Sequence, residues 1–294
     1  MRWHSISLIG VGLLGGSLAL AIKRRQLAAR VVACVRREAA LAECRKLALA
    51  DVVTQDLQEA VHGSELVILC TPLSQMAGLT GRMGPFLQRG AILSDVGSVK
   101  GTVVRELEPL ARQAGADFVG SHPMAGSEKT GVAAARADLF ENAVCLVTPG
   151  RSSPTEAVER VEEFWQSVGG CPLRLTPEAH DDLVSRSSHL PHVVAAELAN
   201  YVLSPAHPKE QALVCANGFR DTTRIAGSSA EMWRDIALAN RQNLSRVLGV
   251  FIEDLQEFQL ALERQDVTAI EEFFAKAKQR RDRWHAQAAA SSPE

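Results

Sequence analysis

The sequence has almost no net charge and no closely spaced pair of cysteines, and each absence excludes a class of protein. Its 32 lysine and arginine residues nearly balance 34 aspartate and glutamate residues, which leaves a formal net charge of -2. Such a chain has no broad basic face, so we expect neither nucleic acid nor a membrane surface as a partner. The six cysteines are scattered without a Cys-x-x-Cys pair, which favours reduced thiols in a cytoplasmic protein and gives no sign of a metal site.

The chain also lacks an unbroken apolar run long enough to span a bilayer. Residues 6–22 come nearest, since they follow a single charged residue, Arg2, and end near an Ala-x-Ala sequence, as a secretory signal does. Four glycines interrupt this stretch, which is too short and too broken for a membrane helix. We therefore interpret it as part of a folded domain.

Residues 5–17 are typical of a strand, a glycine-rich turn and the start of a helix. Residues 5–9 form a short apolar strand, and the glycines that follow have the spacing Gly-x-Gly-x-x-Gly. In a dinucleotide-binding turn the first glycine allows the tight bend, the second lets the backbone approach a pyrophosphate, and the third lets helix and strand pack closely. The candidate cofactor residues of this turn are Gly10, Gly12, Leu13, Leu14 and Gly15.

The second predicted strand, residues 31–35, ends without the acidic residue that usually binds the ribose hydroxyls of NAD in such a domain. Arg36 and Arg37 follow it instead. A guanidinium is planar and always charged, and it binds a phosphate through paired hydrogen bonds. The two arginines therefore favour NADP over NAD as the cofactor, although two solvated arginines at the start of a surface helix would give the same sequence.

Further apolar segments alternate with helical ones through the first half of the chain. Strands are predicted at residues 65–70, 91–95, 117–120 and 143–147. This alternation predicts a doubly wound, mostly parallel α/β sheet of the Rossmann type over residues 1–174. Because ligands bind beyond the carboxyl ends of such strands, the loops after them should converge on one crevice. Those loops contain the candidate cofactor residues Thr71 and Pro72, and also Ser98 and His122.

The second half of the chain changes to a purely helical pattern. Thr176 and Pro177 fit the N-cap and the first position of a helix, and long amphipathic stretches follow. We expect a helical substrate-binding and dimerisation domain over residues 175–285, and a disordered tail over residues 286–294. Long apolar helices in a small domain usually need a partner surface, so a homodimer through this domain is expected.

A cluster of arginines and small residues at 218–243 is the strongest polar feature of the helical half. Arg220, Asp221 and Arg224 lie among glycines and threonines, and Trp233 follows shortly after. Arginines in such a setting suit the capture of a carboxylate by paired hydrogen bonds. A loop that joins two helices and contains its own Arg–Asp pairs explains the cluster equally well.

Five motifs occur in one order along nearly the whole chain. They are Gly-Val-Gly-Leu-Leu-Gly-Gly-Ser at 10–17, Asp-Val-Gly-Ser-Val-Lys at 95–100, Gly-Ser-His-Pro-Met-Ala-Gly-Ser-Glu at 120–128, Ser-His-Leu-Pro-His at 188–192 and Gly-Phe-Arg-Asp-Thr-Thr-Arg-Ile at 218–225. Their combination resembles the prephenate/arogenate dehydrogenase family of tyrosine biosynthesis. The His-Pro-Met-Ala-Gly and Arg-Asp-Thr-Thr-Arg stretches are the most specific parts of the resemblance.

The resemblance implies an NAD(P)-dependent oxidative decarboxylation of a cyclohexadiene that carries a carboxylate and, opposite it, a hydroxyl. Hydride leaves the carbinol carbon for the nicotinamide, and loss of carbon dioxide makes the ring aromatic. By resemblance, His122 is the base that takes the hydroxyl proton, and Ser98 orients His122 by a hydrogen bond. The candidate substrate residues are Arg224, which binds a carboxylate, and Glu128, Thr130, His189 and Trp233, with His192 a weaker candidate.

Other interpretations remain open at this point. A β-hydroxyacid dehydrogenase or an imine reductase shares the plan of a dinucleotide domain followed by helices, although the His-Pro loop and the arginine-rich loop argue against both. A non-catalytic NADP sensor that binds a protein through its helical half belongs to a different class. Within the family, the motifs fit prephenate and arogenate alike, and NADP use favours arogenate by association alone. Many family members carry the acid that is missing before Arg36 and use NAD, so NAD is not carried over.

Overall fold

The protein is built around an eight-stranded sheet, seen in a computed structural model that describes residues 2–126, 129 and 131–291. The strands are β1 (Trp3–Ile9), β2 (Ala28–Cys34), β3 (Val52–Thr54), β4 (Leu66–Leu69), β5 (Ile92–Asp95), β6 (Asp117–Pro123), β7 (Val144–Pro149) and β8 (Cys171–Arg174). They lie in the order β3-β2-β1-β4-β5-β6-β7-β8, and all neighbours run parallel except β6 and β7. The prediction of a doubly wound, mostly parallel Rossmann-type sheet is confirmed.

Helices connect the strands and then make up the remainder of the chain. They are α1 (Leu13–Arg24), α2 (Glu38–Lys46), α3 (Leu57–Val61), α4 (Leu73–Met83), α5 (Gly101–Gln113), α6 (Thr155–Ser167), α7 (Pro177–Val184), α8 (Leu190–Val202), α9 (Asn217–Thr223), α10 (Ala230–Ala239), α11 (Arg241–Glu263) and α12 (Val267–Ser291). Short 3₁₀ turns lie at Gly84–Phe86, Val132–Ala134, Lys209–Val214 and Arg224–Gly227, and a π-helical turn lies at Ser185–His189.

Neighbouring residues of each strand point to opposite faces of the sheet, and helices cover both faces. Side chains on both faces are therefore buried. Leu8 of β1 packs in one core with Leu18 of α1, whereas the next residue, Ile9, packs in the other core with Leu107 of α5. All four side chains are at most 2% exposed. Burying one such side chain contributes roughly 1.5–3 kcal/mol, so these layers hold the strand ends in fixed positions.

β3 and β6 show two kinds of difference from the strands predicted by the sequence. β3 has only three residues, Val52–Thr54, which is too short for a recognisable apolar pattern. β6 continues to Pro123, although residues 121–131 were expected to form a loop, because β7 pairs with it in antiparallel fashion as far as Pro123 and Cys145. His122 therefore lies in a strand, where its backbone is fixed, and not in a flexible loop.

The chain divides into two compact units, Met1–Asn243 and Leu244–Glu294. The first contains the sheet together with α7 to α10, since α7 packs beside α5 and α10 beside α4. The last strand ends at Arg174, where the sequence predicts the change from sheet to helices. The first compact unit ends at Asn243, about 70 residues after the last strand. Buried hydrogen bonds explain the difference, because they join α7 to the start of α5 and join Asn240, at the end of α10, to α7.

The second unit consists of most of α11 followed by α12. Phe258 of α11 packs against Phe273 and Phe274 of α12, with ring centroids 4.4 Å and 5.7 Å apart. α12 runs to Ser291, past residue 286, where the sequence predicts that the tail begins. Alanine and glutamine have high helix propensity, which explains the continuation. Residues 292–294 lie outside the described residues.

Among the described residues, no helix combines the length and the apolar character that crossing a membrane requires.

Candidate active site

The glycine-rich turn after β1 has the geometry that a dinucleotide phosphate needs. Gly10 adopts a left-handed φ of 95°, and a Cβ there would lie 2.6 Å from Cγ2 of Thr71, so only glycine fits. A Cβ at Gly15 would collide with the carbonyl oxygen of Gly10. Gly12, at the N-terminus of α1, faces open space instead. The three glycines thus provide a tight bend, a close helix–strand approach and an open path to a helix N-terminus that attracts anions.

The other predicted residues around this turn lie next to it. Leu13 and Leu14 are the first two residues of α1 and are half-buried. Pro72 is the N-cap residue of α4. Thr71 packs against Gly10, and its buried Oγ1 has no hydrogen-bond partner among the described residues. An open glycine, a helix N-terminus and an unpaired hydroxyl fit a bound dinucleotide.

Arg36 and Arg37 lie at the end of β2, on the solvent side. Both are exposed, and Arg37 is the N-cap residue of α2. The backbone carbonyl of Arg36 accepts a hydrogen bond of 2.9 Å from Nε2 of Gln55, which fixes the local backbone. No ion pair involves either guanidinium within the part of the chain that the structure describes, so both cations can reach a ligand.

His122 projects beyond the carboxyl end of the neighbouring strand. The register pairs Ser94 with Val119, which places His122 past Asp95, the last residue of β5. The carboxyl ends of β1, β4 and β5 lie along the same edge, because these strands are parallel neighbours. His122 is only 8% exposed. It therefore lies on the side of the sheet where a doubly wound fold binds its ligand.

The imidazole of His122 is held in its neutral form. Burial lowers the pKa of His122 well below its usual value, and the charges of nearby His180, Lys100 and His189 lower it further. A neutral imidazole has one nitrogen with a lone pair, which is the requirement for a proton acceptor.

A chain of buried hydrogen bonds continues from His122 into the helical half. Nδ1 of His122 lies 2.9 Å from Nε2 of His180, and Nδ1 of His180 lies 2.8 Å from Oδ1 of Asp181. His180 is fully buried and Asp181 nearly so. Burial lowers the pKa of His180 despite the opposing effect of Asp181.

Asp181 is bound to the N-terminus of α5. Its Oδ1 accepts a hydrogen bond of 2.7 Å from the backbone N–H of Lys100, and its Oδ2 accepts one of 2.8 Å from Gly101. These are backbone donors that the helix itself cannot satisfy. A carboxylate in this position is favoured by the helix dipole and by two charge-assisted hydrogen bonds.

A buried ion pair lies directly behind His122. The ammonium of Lys100 contacts the carboxylate of Asp95 and donates a hydrogen bond of 2.9 Å to the carbonyl of Ser121. Asp95 also accepts from the backbone N–H of Ser121 at 3.1 Å. Lys100 and Asp95 are completely buried. Removing either partner would leave an uncompensated charge, so the pair fixes β6 against β5 just before His122.

His189 is the second buried histidine supplied by the helical half. It ends the π-helical turn Ser185–His189, and Nδ2 of Asn240 lies 3.1 Å from its Nδ1. Asn240 also donates to the carbonyl of Asp181 at 2.8 Å. Burial lowers the pKa of His189 to about 4. Its Nε2 has no hydrogen-bond partner among the described residues, although the backbone of Ser98 lies near enough to act on its pKa.

Trp233 and Arg224 lie beside these histidines. The Trp233 ring stacks on His192 at a centroid distance of 3.9 Å and meets His189 edge-on at 5.9 Å. Arg224 begins the 3₁₀ turn Arg224–Gly227, and its charge lowers the pKa of His192, which burial already depresses. The structure thus brings the predicted residues Arg224, Trp233 and His189 into one neighbourhood.

The predicted hydrogen bond from Ser98 to His122 is not seen among the described residues. Nδ1 of His122 is taken by His180, and the backbone of Ser98 acts on His189 instead. No sequence motif marks His180, Asp181 or Asn240 as site residues. Each is a single polar residue in an ordinary helical pattern, and only their buried contacts distinguish them. Glu128 and Thr130, also predicted to bind substrate, lie outside the described residues.

Comparison with known proteins agrees with this arrangement. The nucleotide-binding domain of prephenate dehydrogenase matches residues 18–172, and the dimerization domain of prephenate dehydrogenase matches residues 176–276. Cyclohexadienyl dehydrogenase of Zymomonas mobilis is 34% identical over 278 residues, which cover 94% of each protein. Prephenate dehydrogenase of Bacillus subtilis is 34% identical over 284 residues, which cover 95% of this chain and 75% of that protein.

The chain belongs to the prephenate dehydrogenase family.

Solved structures of prephenate and arogenate dehydrogenases superpose on nearly the whole chain. Aquifex aeolicus prephenate dehydrogenase in complex with hydroxyphenyl propionate and NAD+ has a TM-score of 0.89 at 28% identity, covering 96% of this chain and 99% of that one. Synechocystis arogenate dehydrogenase has a TM-score of 0.80 at 26% identity, covering 95% and 99%. A 3-hydroxyisobutyrate dehydrogenase of Mycobacterium tuberculosis shares the fold alone, at 16% identity and a TM-score of 0.52. The β-hydroxyacid dehydrogenase interpretation is therefore not favoured.

Proposed function

We propose that this member of the prephenate dehydrogenase family oxidises and decarboxylates a cyclohexadienyl acid with His122 as the base. The observation that supports the proposal most strongly is the position of His122, neutral and buried beyond the end of β5. His189 of the helical half lies near enough for its charge to act on His122, and Trp233 contacts His189. A sensor without catalytic activity would not need a buried imidazole aimed at its ligand.

The residues of the site divide the reaction between them. The substrate loses a hydride from its carbinol carbon and a proton from its hydroxyl, and the ring then loses carbon dioxide as the C–C bonding electrons enter the ring. A bound nicotinamide dinucleotide supplies the hydride acceptor. His122 accepts the hydroxyl proton on the ring nitrogen that His180 does not contact. Arg224 attracts a substrate carboxylate, and Trp233 with His192 shields the ring from water.

We propose that the cofactor is NADP, bound by the turn Gly10 to Gly15 and selected by Arg36 with help from Arg37. The exposed guanidiniums at the end of β2 lie where the fold presents the adenosine ribose. The Aquifex relative has NAD+ bound, so the family itself accommodates the dinucleotide without the extra phosphate. The arginines of this chain are the feature that favours NADP.

Initial rates with each pairing of prephenate or arogenate and NAD or NADP test these proposals together. Reduction of the dinucleotide is followed by its absorbance. Turnover with NADP and arogenate above the other three pairings is expected, since the resemblance associates NADP use with arogenate in many cases. Faster turnover with NAD would contradict the role of Arg36, and turnover with prephenate alone would contradict the choice of substrate. No turnover in all four pairings would refute the proposed reaction.

We also propose a homodimer formed through the helical half. The family's dimerization domain matches residues 176–276, and apolar side chains such as Leu213, at 84% exposed, and Leu255, at 46% exposed, stand on the surface of this region. Sedimentation equilibrium should give twice the chain mass of 31.7 kDa. Leu255→Glu should shift the equilibrium toward monomer, whereas Gln256→Glu at the neighbouring exposed position should not. A monomeric parent protein at micromolar concentration would contradict the proposal.

A further inference from the structure

We infer that His180 and Asp181 are positioning residues that hold His122 in the single tautomer able to act as a base. The inference rests on the proposed function for its kinetic consequence, but the tautomer itself is a property of the protein without substrate. Neither residue belongs to the motifs that led to the family, and both come from α7, which precedes the other helical site residues.

The first step concerns the hydrogen bonds of the Asp181 carboxylate. Its two oxygens accept hydrogen bonds from the backbone N–H groups of Lys100 and Gly101 at the N-terminus of α5. Each oxygen of this carboxylate thus acts as an acceptor, and a carboxylate has no proton to donate. Nδ1 of His180, 2.8 Å from Oδ1, must therefore donate its proton to Asp181.

The second step follows from the charge of His180. Burial disfavours an imidazolium there, and the nearby ammonium of Lys100 disfavours it further. A neutral His180 that carries its proton on Nδ1 has a lone pair on Nε2. Nδ1 of His122, 2.9 Å away, must then be the donor of the bond between the two rings. The lone pair of His122 is consequently on Nε2, which His180 does not contact.

The same chain also stabilises the product of proton transfer. When Nε2 of His122 accepts the substrate proton, the ring becomes a cation whose Nδ1–H still donates to His180. His180 in turn donates to the carboxylate of Asp181. The positive charge on His122 is therefore separated from a negative charge by only the ring of His180, which stabilises it. The other charged or titratable groups around these rings are Lys100, Asp95 and His189. None of them needs to release or accept a proton in this step.

The most informative variant is Asp181→Asn, which keeps the shape of the side chain but replaces one accepting oxygen by a donating NH2 group. One oxygen can no longer satisfy the backbone N–H groups and His180 together, and an amide N–H facing His180 would force its proton onto Nε2. His122 would then carry its proton on Nε2 and lose its lone pair toward the substrate. We expect kcat to fall by about 10- to 1000-fold, with the dinucleotide KM changed less than about twofold. Asp182→Asn, next along α7 and paired with Arg186 at the surface, is the matched control.

A second pair of variants tests the inference independently, in case Asp181→Asn does not fold. His180→Gln retains an amide oxygen that can accept from Nδ1 of His122, whereas His180→Leu leaves that proton without an acceptor. We expect the glutamine variant to keep at least about tenfold more kcat than the leucine variant, at equal dinucleotide affinity. Equal kcat in the two variants, or parental kcat in the leucine variant, would overturn the positioning role.

The tautomer can be read without any substrate. In ¹⁵N-histidine-labelled parent protein, the His122 ring is assigned by loss of its signals in His122→Asn. We expect a protonated Nδ1 and an unprotonated Nε2, and the reverse in Asp181→Asn. A protonated Nε2 in the parent would overturn the inference even if the enzyme turns over. The expected tautomer in a protein that reduces neither dinucleotide would leave the inference standing and refute only the proposed reaction.

Discussion

At the scale of single residues, the decisive feature is that His122 has one ring nitrogen engaged and one available. Its Nδ1 is held by His180, and burial keeps the ring neutral. The backbone on either side is fixed by strand pairing with β7. If His122 acts as the proposed base, a ring held this rigidly needs little reorganisation when it accepts the substrate proton.

Replacing His122 by asparagine should reduce turnover without affecting cofactor binding. The amide cannot accept a proton at neutral pH, so kcat should fall by about 10²–10⁴-fold. The glycine turn and Arg36 are unchanged, so the dissociation constant of the dinucleotide should stay within about twofold. Initial rates and a fluorescence titration measure the two quantities. His62→Asn, at an exposed position, is the control, and parental kcat in His122→Asn would remove His122 from the catalytic role.

Arg36→Ala should separate the two dinucleotides. A phosphate gains a charge-assisted, paired hydrogen bond from a guanidinium, and NAD has no phosphate at that position. The dissociation constant of NADP should rise by about tenfold or more, while that of NAD changes little. Calorimetric titration of each dinucleotide measures this, and Arg112→Ala on the exposed face of α5 serves as the control. An equal loss for both dinucleotides would show that Arg36 does not recognise the phosphate.

Residues with a motif around them could be predicted from sequence, and residues without one could not. His122 and Arg224 stand in distinctive stretches, so local composition and resemblance single them out as site candidates, and their roles stay proposals. His180 bonds to His122 across 58 positions, and Asn240 bonds to Asp181 across 59. Such pairs depend on how α7 and α10 pack against the sheet, which no local pattern encodes. The same reason explains why Ser98 was expected to orient His122 in place of His180.

At the scale of elements, a strand that consists of a continuous apolar run could be predicted from the sequence. A strand whose existence or length depends on pairing with a neighbouring strand could not. All four residues of β4, Leu66–Leu69, are buried, and all four are apolar. β3 has three residues and exists because β2 offers it a parallel edge. β6 is extended through Pro123 by β7, which no property of residues 121–123 signals. Long-range pairing therefore overrides the turn propensity of the His-Pro segment.

The glycine turn supplies a prediction at this scale, through two substitutions with opposite consequences. A Cβ at Gly12 enters open space, so Gly12→Ala should change the free energy of unfolding by less than about 0.5 kcal/mol while weakening dinucleotide binding at least about tenfold. A Cβ at Gly15 meets the carbonyl of Gly10, so Gly15→Ala should lower the free energy of unfolding by about 1–3 kcal/mol.

Urea unfolding without cofactor and dinucleotide titration distinguish the two glycine variants. Gly78→Ala, where a Cβ also meets nothing, is the control outside the turn. Equal destabilisation by Gly12→Ala and Gly15→Ala would contradict the assigned geometry. Unaltered dinucleotide affinity in Gly12→Ala would show that the phosphate does not approach this glycine.

At the scale of the whole molecule, buried polar groups join the sheet layer to the helices that follow it. Asp181 of α7 caps α5, and Asn240 at the end of α10 reaches both Asp181 and His189. Isolated polar groups of this kind are costly to bury, and their mutual hydrogen bonds offset that cost only in one arrangement. The network that holds the ring of His122 thus also specifies how α7 and α10 pack against the sheet.

The three buried histidines of this network should make the protein sensitive to mild acid. Their folded-state pKa values are lowered, to about 4 for His189, whereas an unfolded histidine titrates near 6.5. As the pH falls below about 6.5, the unfolded chain binds protons that the folded protein excludes, so the stabilisation present above that pH is progressively lost. Each histidine lowers the free energy of unfolding by at most about 1.4 kcal/mol for each unit of falling pH, until the pH reaches its folded-state pKa.

Calorimetric melting from pH 7.5 to 5.0, at one protein concentration and constant ionic strength, should therefore show a steadily falling Tm. The loss should begin near pH 6.5, above the range in which ordinary carboxylates titrate. His189→Leu should reduce the slope by about a quarter, because His192 also has a lowered pKa and one of four excluded protons is removed. His62→Asn, at its exposed site, should leave the slope unchanged. A flat Tm across this range would mean that the folded protein takes up these protons as readily as the unfolded chain. His180 and His122 could not then remain neutral, and the order of donors from His122 to Asp181 would fail with them.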